Sequence, residues 1–141
     1  MPTRTADAEW TGDLPSGSGH MRLGSGAFDG PYDFRSRMEE GGGTNPEELI
    51  GAAHAGCFSM AFAAQLGAGG FKPEHIATSA KVHFNKGDAG WAIDRIELST
   101  RAAVPGISDP DFQRIAQAAK AGCPVSKALA GVDIVLQASL A

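Results

Sequence analysis

Between Leu49 and Leu66 the only polar side chains are His54, Ser59 and Gln65, with the thiol of Cys57 beside them. The approach to this run has the form of a helix start. Asn45 can cap, Pro46 suits the first helical position, Glu48 stands where a capping-box partner stands, and Glu47 and Glu48 put negative charge at the positive end of the helix dipole. Gly67, Gly69 and Gly70 end the helix. Apolar all round, it is expected to be buried on every side, with small residues such as Gly51, Ala52, Ala55 and Gly56 allowing close approach of another backbone.

Upstream, the pattern predicts strands over Thr3–Trp10 and His20–Leu23, separated by the turn-rich Leu14–Gly19, with a bend or bulge at Gly24–Gly26. Tyr32–Met38 alternates apolar and polar residues and predicts a third strand with Arg35 and Arg37 on one face. Glu39–Thr44 is a flexible loop into the helix. Downstream, Ile76–Asn85 and Trp91–Val104 read as a hairpin about Lys86–Gly90. A helix begins at Asp109 with Phe112, Ile115, Ala116 and Ala119 on its buried side, and ends near Gly122. A short helix over Pro124–Ala130 and a last strand over Val132–Leu140 complete the order βββ-α-ββ-α-β. This is an α+β pattern in one domain over residues 1–141, with meanders and no βαβ crossover.

Charge narrows the function classes. Twelve Lys and Arg against 16 Asp and Glu give a net charge of −4, which argues against nucleic acid. Two carboxylates at its mouth, a central His and a wealth of Ala and Gly argue against the long helix as a membrane span. Met1–Trp10 lacks the apolar stretch of a signal peptide, so a cytoplasmic protein is expected. In that compartment two cysteines are more often reduced, catalytic or redox-active than a structural staple.

The cysteines, Cys57 and Cys123, are 66 positions apart. They are either two inert buried thiols or a reactive pair. Cys123 precedes Pro124 at the mouth of a short helix, where an anion is favoured. Cys57 lies mid-helix and needs a cation from elsewhere, for which an Arg is suited. Glu47, Ile50, His54 and Cys57 fall within about an 80° arc of the helix, yet Glu47 and Cys57 are about 15 Å apart along its axis. One Arg head serves both only if the helix breaks near Gly51 or if the Glu comes from a second subunit in an antiparallel dimer. His54, one turn before Cys57, is either the base of a Cys–His hydrolase or a core histidine bonded to a backbone or hydroxyl group, and the second reading is preferred. No CxxC or HExxH spacing occurs and the other histidines are scattered at 20, 75 and 83, so no metal centre is expected.

The run from Asn45 to Met60, together with Ala121-Gly122-Cys123-Pro124-Val125-Ser126, strongly resembles the OsmC (osmotically inducible protein C) family. The likeness includes Ala8–Gly12, Asp88-Ala89-Gly90 and Val104–Ile107 and runs through nearly the whole chain. It implies an OsmC-like fold, with antiparallel sheets around a long central helix, in an intertwined homodimer with two active sites at the interface. It implies a thiol-dependent peroxidase acting on organic hydroperoxides and hydrogen peroxide, with no metal, flavin or haem. Carried over by position, Cys57 is the peroxidatic thiolate, Cys123 the resolving thiol and Glu47 the site carboxylate. The organic-hydroperoxide-resistance branch places its arginine in the first hairpin, where Ser16–Gly19 has none; the OsmC branch carries one just before the helix. Arg37 fits, with Arg35 and Arg22 as alternatives. His54, where the resistance branch usually has Tyr, also places the chain in the OsmC branch. The reductant is an external dithiol, with a lipoylated protein as one candidate. The rival class is a non-catalytic redox sensor or ligand-binding module.

Overall fold

The computed structural model describes all 141 residues. The chain forms two compact units, Met1–Leu49 and Ile50–Ala141, with the boundary inside the long helix.

The first unit is built on an antiparallel sheet, β1 (Ala6–Thr11), β2 (Ser18–Leu23) and β3 (Asp29–Tyr32), in that spatial order. Gly19 is buried under Tyr32 and Trp10, where a Cβ would meet the Tyr32 ring at 2.6 Å, so only glycine fits. The strand expected over Tyr32–Met38 is instead the end of β3 followed by a short helix, α1 (Phe34–Met38). The reason is local. Asp33 accepts the Ser36 backbone N–H at 2.7 Å, and its own N–H reaches Ser36 Oγ at 2.9 Å, forming a complete capping box. On a helix, Arg35 and Arg37 lie about 200° apart rather than on one face.

The loop after α1 is sewn to it. Ser36 Oγ donates to the Thr44 carbonyl at 2.7 Å, the Asn45 amide donates to the Ser36 carbonyl at 3.0 Å, and the Thr44 N–H donates to the Pro31 carbonyl at 2.8 Å. Asn45 caps the long helix as expected, accepting the Glu48 N–H at 2.7 Å. The Glu48 carboxylate does not close a capping box; it accepts the Thr44 hydroxyl.

The long helix, α2, runs unbroken over Pro46–Ala68. In the second unit it lies with β4 (His75–Gly87), β5 (Gly90–Ala103), α3 (Asp109–Gly122), α4 (Pro124–Ala128) and β6 (Asp133–Leu140). β4 and β5 are the expected hairpin, turning at Asp88 and Ala89, with a bulge at His83/Phe84. β6 runs parallel to β5, so β5-α3-α4-β6 is a βαβ crossover, contrary to the expectation of none. Hydrophobic alternation sets which face of a strand is buried and carries no information about strand direction.

The core is one cluster. From α2 it takes Phe58, Phe62 and Leu66, from β5 Ile96, Leu98 and Ala102, and from α3 the four residues expected, Phe112, Ile115, Ala116 and Ala119. Phe62 meets Phe112 edge to face with centroids 5.3 Å apart. Ser59 on α2 donates to Thr78 Oγ1 at 2.8 Å, and Thr78 bonds Thr100 across the hairpin at 2.9 Å, so these three hydroxyls under the helix are matched.

The helix is not buried on every side within this chain. His54, Phe58, Phe62 and Leu66 are fully buried, whereas Ala52, Ala53, Gly56, Met60 and Ala64 are exposed, Met60 at 77%. By length and composition α2 could cross a membrane. Its buried stripe, however, is the side that packs on the sheet and α3, as in the core helix of a folded domain.

Candidate functional site

The first unit presents an ion pair. α1 sets Arg37 opposite the first turn of α2, where the guanidinium grips Glu47 side-on: Nε to Oε1 at 3.0 Å and to Oε2 at 3.3 Å, and Nη2 to Oε1 at 2.7 Å. Glu47 is 7% exposed, while the Arg37 side chain keeps 38% of its surface. A buried carboxylate thus holds the guanidinium in a fixed plane. Of the alternatives, Arg35 pairs with Glu39 at 3.5 Å on an exposed surface, and Arg22 is held by Asp29 on the first sheet.

The second unit presents a thiol pair. Cys57, on α2, and Cys123, between α3 and α4, bring their sulfurs to 3.1 Å across 66 positions of sequence, both as free thiols. The turn that opens α4 is what places Cys123. Its residue acts both as the end of α3, donating its N–H to the Ala119 carbonyl, and as the N-cap of α4, where Pro124 requires no donor partner.

The two sulfurs sit in different environments. Burial pushes the Cys57 thiol up, the adjacent Cys123 adds to that, and only the Val125 backbone N–H opposes it. Burial raises Cys123 too. There it is outweighed by hydrogen bonds from the Ser126 N–H, the Cys57 thiol, the Ser126 hydroxyl and the Val125 N–H, which hold Cys123 below the ordinary thiol range.

His54 does not pair with Cys57. Its Nε2 lies 2.8 Å from Ser126 Oγ, and its Nδ1 is buried without any hydrogen-bond partner. That removes the base a Cys–His hydrolase needs and bears out the reading of a core histidine bonded to a hydroxyl. Ser126, the partner, was not singled out from the sequence, although its place three residues into a helix opened by Cys123 is where a side chain reaches back to the cap.

His54 also makes stability depend on pH. Burial lowers its affinity for a proton in the folded chain, while an unfolded histidine titrates near about 6.5. Below that pH the unfolded chain binds more protons, so stability is lost as pH falls through about 6.5. Urea melts between pH 7.5 and 5.5 are expected to lose stability more steeply in the wild type than in His54→Gln; equal slopes would show that His54 is not held neutral.

The family model described as OsmC-like protein matches residues 39–137. Over 127 residues the chain is 51% identical to a protein of Escherichia coli (strain K12) named peroxiredoxin OsmC, covering 89% of each. It is 35% identical over 98 residues to an organic hydroperoxide resistance protein of Xanthomonas axonopodis pv. citri (strain 306), covering 68% of this chain and 67% of the relative. Among solved structures, the organic hydroperoxide resistance protein OhrB of Bacillus subtilis has the same fold, with a TM-score of 0.73 over 95% of this chain and 97% of its own at 24% identity.

Proposed function

The chain belongs to the OsmC family, and we propose that it works as a thiol-dependent peroxidase that reduces organic hydroperoxides and hydrogen peroxide. The observation that carries this reading is the approach of Cys57 and Cys123 to 3.1 Å, close enough that an oxidised sulfur on one is captured by the other with little movement. The relatives named for peroxiredoxin activity and hydroperoxide resistance support it.

The Cys57 thiolate attacks the distal oxygen of the hydroperoxide. The O–O bond breaks, the alkoxide takes up a proton and leaves as the alcohol, and Cys57 is left as the sulfenic acid. Cys123 then condenses with it, releasing water and forming the Cys57–Cys123 disulfide. An external dithiol, such as a lipoyl group on a partner protein, reduces the disulfide. We place this cycle in the cytoplasm, where such reductants are maintained.

A Cys57 thiolate needs a cation to stabilise it, and we assign that role to Arg37, which Glu47 orients. α2 is unbroken, so Glu47 and Cys57 stay about 15 Å apart along its axis. Of the two routes open from the sequence, the unbroken helix favours a homodimer in which Arg37 of one subunit serves Cys57 of the other. The exposed face of α2, with Ala52, Ala53, Gly56 and Met60, is the surface available for that partner.

The test is consumption of cumene hydroperoxide and of hydrogen peroxide by the wild type with a dithiol reductant. Continuous turnover is expected. A protein that forms the disulfide on one equivalent of peroxide and then stops under excess dithiol is a sensor, and the peroxidase reading fails.

A further inference from the structure

In the reduced chain the Cys57 and Cys123 sulfurs are two free thiols 3.1 Å apart, and the chain has no other cysteine. Nowhere do three His, Cys, Asp or Glu side chains gather as a protein-held metal ion requires. Zinc, which takes four protein ligands in a structural site and three in a catalytic one, is therefore poorly served here. A centre that asks the protein for two soft sulfurs and nothing else is served well.

The separation of the sulfurs says which kind of centre fits. Thiolate sulfur bonds a soft centre at about 2.3 Å, so a linear two-coordinate ion sets its sulfurs about 4.6 Å apart. A trivalent pyramidal centre, whose bonds meet near a right angle, sets two such sulfurs only about 3.3 Å apart. The second figure lies close to the 3.1 Å observed. Neither sulfur is carried on a backbone free to spread the pair. Cys57 is in the middle of α2, and Cys123 is pinned on both sides, its N–H donating to the Ala119 carbonyl at 2.9 Å and its carbonyl accepting the Lys127 N–H at 3.0 Å. Cys57 is the partly open member and Cys123 the buried one. A pyramidal centre sits off the line joining its sulfurs, so it can enter on the open side of Cys57 while Cys123 stays in place.

We propose that the Cys57–Cys123 dithiol is a chelating site for trivalent arsenic that carries one organic substituent. Both thiols condense with the oxide: two As–S bonds form, the arsenic–oxygen bonds break, and the two thiol protons leave with the oxygen as water. Arsenic remains trivalent, so no oxidant or reductant enters. With no third cysteine in the chain, the third valence keeps its substituent. The dithiol is already assembled, so the second As–S bond forms within one molecule and the ligand is held far more tightly than by one thiol. This binding goes beyond the peroxidase reading and does not depend on it. Where peroxide is turned over, the captured metalloid removes both sulfurs from the cycle.

The probe is phenylarsine oxide added to the reduced wild-type protein. One equivalent is expected to abolish titration of both thiols by a disulfide reagent, and the intact mass is expected to rise by one phenylarsenic group less two hydrogens. Excess glutathione, a monothiol, should leave the arsenical bound, whereas 2,3-dimercaptopropanol should release it. Cys57→Ser and Cys123→Ser are each expected to bind at least about 10²-fold more weakly. Thiols that stay titratable in the wild type overturn the proposal, as does a Cys123→Ser protein that binds as tightly as the wild type. If a serine variant does not fold, release from the wild type decides: stripping by glutathione as readily as by the dithiol overturns the chelate. Capture by a wild type that consumes no peroxide upholds the site and sinks the peroxidase reading. Peroxide turnover by a wild type that captures no arsenical does the reverse.

Discussion

Cys57→Ser is expected to reduce hydroperoxide consumption to the rate of protein-free buffer, and Cys123→Ser to consume one equivalent per subunit and then stall. The first follows from which sulfur can be reached. Cys123 has no exposed surface, whereas Cys57 is partly open on α2. A serine hydroxyl in place of Cys57 is no nucleophile toward peroxide at neutral pH, and the buried Cys123 cannot substitute for it. The second follows from the 3.1 Å approach: without Cys123 the sulfenic acid has no internal thiol to condense with. It is expected to accumulate and to be captured by a 1,3-dione, read as a mass increment on Cys57. Quench-flow peroxide assays beside mass spectrometry check both. The assignment has a real competitor within the structure, because Cys123 is the thiol whose surroundings favour the anion. If Cys57→Ser still reacts with one equivalent of peroxide and Cys123→Ser does not, the roles are reversed.

Why the site was partly legible in the sequence follows from where each element gets its instructions. The start of α2 is written locally in Asn45-Pro46-Glu47-Glu48, and the cap forms as read. The buried face of α3 repeats with helical period over 14 residues, enough to name all four core positions. α1 failed for the opposite reason. Seven alternating residues mimic a strand, and the Asp33-x-x-Ser36 capping box that overrides them needs only four. The parallel seating of β6 has no local signature at all. For α2, the all-round apolar pattern pointed to burial on every side, and one chain covers only one side. That excess of apolar surface is what the proposed partner subunit would cover. The thiol pair and the Arg37–Glu47 pair were reached through family likeness, since residues 66 and ten positions apart carry no spacing that marks them as partners. His54 is read from the sequence as a core histidine bonded to a backbone or hydroxyl group, and which hydroxyl becomes visible only when α4 is folded against α2.

Arg37→Ala is expected to lower peroxide consumption about 10²-fold, the scale of losing one fixed charge aimed at the reacting atoms. Glu47→Gln should lower it less, since the guanidinium remains but loses the carboxylate that orients it. The loss in Arg37→Ala should shrink as pH rises, because burial holds the Cys57 thiol up and alkaline pH supplies the thiolate that the cation otherwise secures. These single variants do not say which subunit's Arg37 serves which Cys57; a mixed dimer does. Pairing a Cys57→Ser subunit with an Arg37→Ala subunit leaves one site that combines the surviving Cys57 with the surviving Arg37 if the arginine acts across the dimer, and none if it acts within its own chain. Co-expressed subunits with different affinity tags, purified on both, are expected to show about half the wild-type activity, although each parent homodimer is severely impaired. Activity no higher than the mean of the parents would place Arg37 beside the Cys57 of its own chain. An unbroken α2 would then have to be reconciled with that placement by bending in solution, and Gly51 and Gly56 are the positions between Glu47 and Cys57 where helix propensity is weakest.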